Sequence, residues 1–149
     1  MSIDKRNGDL LGVTKGHIVH GCNSHGVMGS GVALAIKEKY PECFATYRKF
    51  YEEHGLKLGS VVPFVVNDDL VIWNAITQAN FGRNGERYVS YDAVAESLAQ
   101  INLGITIFTN IPAELNFPLI GAGLGGGRWP IIEAIIDDTV ECKKILWIK

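Results

Sequence analysis

Ile18-Val19-His20-Gly21-Cys22-Asn23-Ser24-His25-Gly26-Val27-Met28-Gly29-Ser30-Gly31-Val32-Ala33 decides the fold of this 149-residue chain. A short β-branched run enters a cluster of four glycines, at 21, 26, 29 and 31. It leaves the cluster at Val32, where Ala33, Ala35, Ile36 and Tyr40 recur at helical spacing. Glycine is costly in regular structure, so such a cluster marks a loop with unusual backbone angles or a close approach to something. The same order recurs near the C-terminus. An apolar run at 117–120 enters Gly121, Gly123, Gly125, Gly126 and Gly127, and Pro130 then suits the first turn of a helix. Ile131, Ile132, Ile135, Ile136 and Val140 form the buried stripe of that helix. Four glycines and five glycines make nine of the chain's 17. Two strand–loop–helix units are the reading.

The segments between them alternate in the same way. Pro41 stops or kinks the first helix, and residues 42–54 read as a second, with Phe44, Tyr47 and Tyr51 on one face and Gly55 at its end. Residues 61–66 and 70–76 read as strands joined by a turn at Asn67-Asp68-Asp69. Residues 77–87 are polar and read as a loop. Residues 91–101 carry Val94, Leu98 and Ile101 at helical intervals, 104–114 is ambiguous between strand and helix end, and 145–148 is a closing strand. Strands alternating with helices predict one α/β domain over residues 1–149, a three-layer α/β/α sandwich on a mixed, mostly parallel sheet. Ligands of such sheets sit outside the carboxyl ends of the strands. Both glycine loops hold that position.

Composition narrows the function. With 47% apolar residues, 20% charged residues and a net charge of −2, the chain is globular and carries no broad basic face. No stable nucleic-acid binding is expected from it. No apolar run reaches the ~20 residues of a membrane span, and the first residues lack a signal-peptide core. A cytoplasmic protein is expected. Cys22, Cys43 and Cys142, with four scattered histidines, give no zinc-ligand spacing, so no metal is implied and free buried or half-buried thiols are expected. His17 and His54 have no chemical company and read as surface residues.

Glycine loops ahead of helix starts turn backbone N–H groups toward one point, where the helix dipole adds to them. Phosphate oxygens are held there without Lys or Arg. Two such cradles suit a diphosphate. The P-loop motif is absent. Gly121, Gly123 and Gly126 match G-x-G-x-x-G, but too little chain follows for a dinucleotide-binding βαβ unit with its acid ~20 residues on.

Asn7-Gly8-Asp9-Leu10-Leu11, the stretch 22–33 and Pro118-Leu119-Ile120-Gly121-Ala122-Gly123-Leu124-Gly125-Gly126-Gly127 together resemble the macro domains, an ADP-ribose-binding family. Ile76-Thr77-Gln78 with Phe81-Gly82 resembles the branch that processes ADP-ribose 1″-phosphate, which includes phage and bacterial members. The resemblance implies ADP-ribose or ADP-ribose 1″-phosphate as ligand, ADP-ribosylated macromolecules as further partners, and no cofactor. It implies that Asp9, beside Leu10, accepts from the adenine amino group. A turn cap is the alternative for that residue. Asn23 would bond ribose hydroxyls, Gly29, Ser30, Gly31 and Val32 would present N–H groups, and Gly121, Gly123, Leu124, Gly125, Gly126 and Gly127 would hold the pyrophosphate. Phe81 and Trp129 would flank sugar or base, Trp129 equally anchoring its helix.

For catalysis, His20 lies where the phosphatase branch carries an active-site histidine, and an imidazole there suits general acid or base work. A histidine satisfied at the strand end is its alternative. His25 competes from inside the loop. Asp92 could be an acid partner, or a first-turn charge serving its helix dipole. The lysine after the central strand and the loop aspartate used by the branch that removes ADP-ribose from glutamate are both missing. Phosphatase action, other ADP-ribosyl hydrolysis on protein or nucleic acid, and binding without turnover stay open.

Overall fold

A computed structural model describes residues 3–82, 86–123 and 125–149. Six strands form one sheet: β1 (Asp4–Asn7), β2 (Gly16–Asn23), β3 (Val61–Val65), β4 (Leu70–Gln78), β5 (Glu114–Phe117) and β6 (Lys143–Ile148). Their order is β1-β6-β5-β2-β4-β3. All neighbours run parallel except the β3–β4 pair. Helices α1 (Gly31–Lys39) and α2 (Pro41–His54) cover one face, and α3 (Tyr91–Ile105) and α4 (Trp129–Thr139) the other. The α/β/α sandwich is the one expected.

Strand alternation builds the two cores. In β2, Ile18 and Cys22 pack toward α1 and α2, while Val19 packs with Val94, Leu98 and Ile132 of α3 and α4. The chain leaves β2 for one face and β5 for the other, although these strands are neighbours. That is the switch point where an α/β sheet opens a crevice. The pairing sharpens it. β2 and β5 pair at His17 with Leu115 and Ile18 with Asn116, and β5 ends at Phe117, so the carboxyl end of β2 has no ladder partner on that side. Asn116 Nδ2 donates to the His17 carbonyl at 3.1 Å and closes the lower end.

Several boundaries differ from expectation. Asp4–Asn7 is a strand with every side chain exposed, so it has no apolar alternation to betray it. Pro41 stops α1 at Lys39, as expected, rather than kinking it. It opens α2 at the first position, with Tyr40 as the shared cap between two helices. The strand expected at 117–120 lies earlier, at Glu114–Phe117, because Pro118 has no N–H and tight bonds from Ile120 N to Pro118 O and Ala122 N to Leu119 O turn the chain. Helix α3 runs on to Ile105 before the ambiguous segment turns away, Gly104 leaving room for the Trp73 ring.

His17 is not a surface residue. It is fully buried, its Nδ1 accepting from Trp73 Nε1 at 3.0 Å and its ring lying against Trp73 and Phe108. His54 is exposed at the end of α2. The cysteines are free, Cys22 and Cys43 buried and Cys142 half-buried. Among the described residues, no helix is long and apolar enough to cross a membrane.

Candidate functional site

The carboxyl ends of all five parallel strands surround one cleft of about 970 Å³. Gly8 to Leu11 follow β1, Trp147 to Lys149 end β6, and residues 118–123 with Gly125 follow β5. The end of β2 and its loop supply His20, Asn23 and residues 29–33, and Gln78, Phe81 and Gly82 follow β4. Among the described lining residues only Asp9 and Lys149 carry charge, and both stand at one end. The rest of the described lining is uncharged, glycines interleaved with apolar side chains such as Val32, Leu119 and Ile120.

At the charged end, Asp9 caps a 3₁₀ turn at Leu10–Gly12, its Oδ1 accepting from Leu11 N at 3.0 Å. Lys149 Nζ lies 3.7 Å from Oδ2. The Leu11 N–H, with smaller help from Lys149, holds this carboxyl below the usual carboxylate range. Asp9 is therefore a cap and a cleft residue at once, since Oδ2 still faces outward. Trp147 sits beneath Gly8, where an added Cβ would lie 3.2 Å from its ring, and anchors through Nε1 to Asn116 Oδ1 at 2.8 Å.

In the middle, α1 points its N-terminus at the cleft. Gly31 has φ +61°, and the N-cap Ser30 makes no side-chain cap bond, so the first N–H groups of α1 are left for a ligand. Gly29, Ser30, Gly31 and Val32 all line the cleft, as do Gly121, Gly123 and Gly125. Leu124 lies outside the described residues.

Three expected contacts of the second loop move away. Gly126 N donates to Gly123 O at 3.1 Å and Gly127 N to Gly121 O at 2.7 Å, so these amides are spent inside the loop. Their missing side chains have another cause. A Cβ on Gly126 would strike the Glu86 carbonyl, and one on Gly127 would meet Val89 at 2.6 Å. Trp129 anchors α4, its Nε1 donating to Glu133 Oε2 at 3.2 Å and its ring 6.4 Å from Phe117. Neither Gly126, Gly127 nor Trp129 lines the cleft.

At the uncharged end, the Asn23 side chain organises its own loop. Nδ2 donates to Val27 O at 3.0 Å, Oδ1 accepts from His25 N at 2.9 Å, and the Tyr47 hydroxyl donates to the Asn23 backbone carbonyl at 2.6 Å. One N–H of the amide is left over for a ligand. Phe81 is 55% exposed, at the cleft mouth. The ring of His25 meets it edge-on at 5.7 Å, His25 Nε2 being 3.1 Å from Asn80 Oδ1. His25 supports Phe81 rather than lining the cleft. Asp92 is exposed in the first turn of α3, behind the Ser90 cap, and does not line the cleft either.

His20 is 1% exposed and faces the α1–α2 layer. Its Nε2–H donates to Asn74 Oδ1 at 2.6 Å, and Asn74 Nδ2 donates to Val62 O at 3.0 Å, which fixes the amide's orientation. Nδ1 is therefore the unprotonated nitrogen. Burial pushes His20 down to about 4, the Asn74 bond opposing only in part, so the ring is neutral at pH 7. Cys22 Sγ lies 3.5 Å from Nε2, and burial raises that thiol well above its usual range. This is a satisfied core histidine bordering a cleft, with no mobile proton at neutral pH. Asn74→Ala would strand the His20 Nε2–H and the Val62 carbonyl. The expected cost is about 2–4 kcal/mol, read as a lower urea midpoint at unchanged slope.

Gln78, Cys22, Trp147 and Lys149 are cleft residues that the sequence does not announce. Gln78 had a signal, as a polar residue ending an apolar strand. Trp147 and Lys149 had none, because their place depends on β6 lying beside β1, where Gly8 N donates to Ile148 O at 2.8 Å.

A family model described as Macro domain matches residues 19–136. An uncharacterised 17.5 kDa protein from the tk-vs intergenic region of Enterobacteria phage T4 is 34% identical over 127 residues, covering 81% of this chain and 77% of that protein. A DNA ADP-ribosyl glycohydrolase of Mycobacterium tuberculosis is 30% identical over 137 residues, covering 85% of this chain. The chain spans only 35% of that relative's length. An ADP-ribose 1″-phosphate phosphatase of Candida albicans is 22% identical over 128 residues, covering 81% of this chain and 80% of the relative. Among solved structures, a protein of unknown function from Bacteroides thetaiotaomicron superposes with a TM-score of 0.88 at 30% identity, over 99% of this chain and 98% of that one. The macrodomain of Thermus aquaticus DarG shares the fold, with a TM-score of 0.81 at 23% identity, over 99% and 98%.

Proposed function

The chain belongs to the macro domain family, and from that premise we propose that its cleft binds ADP-ribose and releases the terminal phosphate of ADP-ribose 1″-phosphate. One observation carries the reading. The cleft has a single carboxylate at one end, uncapped helix amides and glycine backbone in the middle, and an uncharged pocket at the other end. That sequence of chemistries matches a base with an exocyclic amino donor, a diphosphate and a second ribose. Asp9 Oδ2 accepts from the adenine amino group beside Leu10. The amides at 29–32, leading into α1, and the backbone of Gly121, Gly123 and Gly125 take the phosphates. The spare Asn23 N–H meets a ribose hydroxyl.

For turnover, water attacks the terminal phosphorus, the bond from phosphorus to the C1″ oxygen breaks, and a proton passes to that oxygen. Backbone N–H donors stabilise the charge that develops. The buried, neutral state of His20 supports a positioning role for it, through the strand end that carries Gly21 to Asn23. Relatives named ADP-ribose 1″-phosphate phosphatase align over most of their own length, which favours this leaving group.

A second reading is hydrolysis of ADP-ribose from a nucleic acid. The exposed Phe81, propped by His25 at the cleft mouth, favours it as a ledge on which a planar group could lie. The relatives named DNA ADP-ribosyl glycohydrolase agree with it. Calorimetry with free ADP-ribose tests the shared premise, and no heat at millimolar ligand would sink it. Phosphate release from ADP-ribose 1″-phosphate, set beside ADP-ribose release from modified DNA, then separates the two readings. Binding with neither release would make the protein a reader of ADP-ribose.

A further inference from the structure

Helix α1 runs from the middle of the cleft toward the turn that carries Asp9. Gly31, Val32 and Ala33 line its middle, and Ala35 continues the wall one turn on. Four and seven residues after Val32, on the same helical face, come Ile36 and Lys39. Ile36 packs with Leu10 and Leu11 in one buried cluster. The Lys39 ammonium crosses to the 3₁₀ turn and donates to the Leu11 carbonyl. Leu11 is also the residue whose N–H holds Asp9 Oδ1 at 3.0 Å. One residue thus receives the tether on its carbonyl and orients the carboxylate with its amide. A lysine in a last turn ordinarily serves its own helix end. This one reaches to another element instead. From residue 31 to residue 39 the helix rises about 12 Å as a rigid rod.

We infer that Lys39 is a positioning residue for base recognition: by tying Leu11 to the far end of α1, it fixes the separation between the Asp9 carboxylate and the α1 amides. The cleft then measures a nucleoside diphosphate as one object, rather than taking a base and a phosphate independently. Lys39 itself does not line the cleft. The inference rests on the ADP-ribose reading above.

Base selectivity is the readout, because loss of folded protein weakens every ligand alike. Calorimetry on the full chain would compare ADP-ribose with its hypoxanthine counterpart, in which a carbonyl replaces the amino donor facing Asp9. The wild type is expected to prefer ADP-ribose by about tenfold or more. In Lys39→Met the ADP-ribose affinity is expected to fall about fivefold with a smaller change for the hypoxanthine ligand, so the ratio collapses toward one. Lys39→Arg is expected to restore it. Lys39→Leu, which likewise removes the donor and is read by the same ratio, serves if the Met variant fails to fold. A wild type that binds neither ligand removes the ADP-ribose reading and this proposal with it. A wild type that binds ADP-ribose, beside a Lys39→Met variant with an unchanged ratio, overturns the proposal alone.

Discussion

Lowering the pH from 7.5 to 4.5 is expected to remove about 5 kcal/mol of folding stability, a large share of what a domain of this size has. Among the described residues His17 and His20 have no carboxylate partner, and burial pushes each down to about 4 from the 6.5 of an unfolded chain. With the folded pKa depressed, the unfolded chain binds protons first as pH falls. The stability that rests on neutral imidazoles is complete above pH 6.5 and is lost on the way down toward pH 4. At pH 4.5 each histidine accounts for about 2.5 kcal/mol of the loss. At a urea slope of about 2 kcal/mol per M, the midpoint should fall by about 2 M. His17→Gln, which keeps an acceptor for the Trp73 indole, should remove roughly half of that dependence. Equal midpoints at the two pH values would show that neither ring is held neutral by the fold.

Gly125→Val is expected to lower ADP-ribose affinity about 100-fold or more and to lower the melting temperature as well. The cause is the backbone behind the residue rather than a clash with the ligand. A Cβ at Gly125 would lie 2.7 Å from the Gly121 carbonyl oxygen, 3.0 Å from the Gly121 Cα and 3.1 Å from Gln78 Oε1. Backbone cannot swing aside as a side chain can, so the loop must shift. The Gly125 carbonyl also accepts from Tyr88 N at 2.6 Å and Val89 N at 3.0 Å, so the shift pulls on the segment ahead of α3. Gly123→Ala is the control. Its Cβ would meet nothing within 4 Å, so the melting temperature should hold while any loss of affinity reports on the cleft itself. Calorimetry and thermal melts on the two variants check both statements, and a Gly125→Val protein with wild-type affinity would refute the loop's role.

The two strand–loop–helix units were legible because glycine clustering and helical spacing are local signals. So was the cleft's position, which follows from strands feeding glycine loops. What stayed hidden depends on partners far away in sequence. His17 looks solitary along the chain, yet its company is Trp73 and Phe108, reached only when β2 lies beside β4. Asp4–Asn7 has no apolar pattern, since an edge strand with exposed side chains needs only its ladder with β6. In the second loop, the sequence shows where glycine is required but not which neighbour requires it. Gly125 lines the cleft, whereas Gly126 and Gly127 make room for the 86–89 segment and α4. His20 was legible as a cleft neighbour, but the Asn74 bond that occupies it comes from the middle of another apolar strand.

The short pairing between β2 and β5 makes the sheet resemble a book lying partly open. Two register pairs form the spine, against eight between β2 and β4. One cover, β1-β6-β5, carries the Asp9 turn and the second glycine loop, and the other, β2-β4-β3, carries the first glycine loop and Phe81. Neither cover holds a whole ligand site. A molecule lying across the gutter would clasp the two covers together at the end where no ladder joins them, while the single core of Val19, Phe117 and Ile132 binds them underneath.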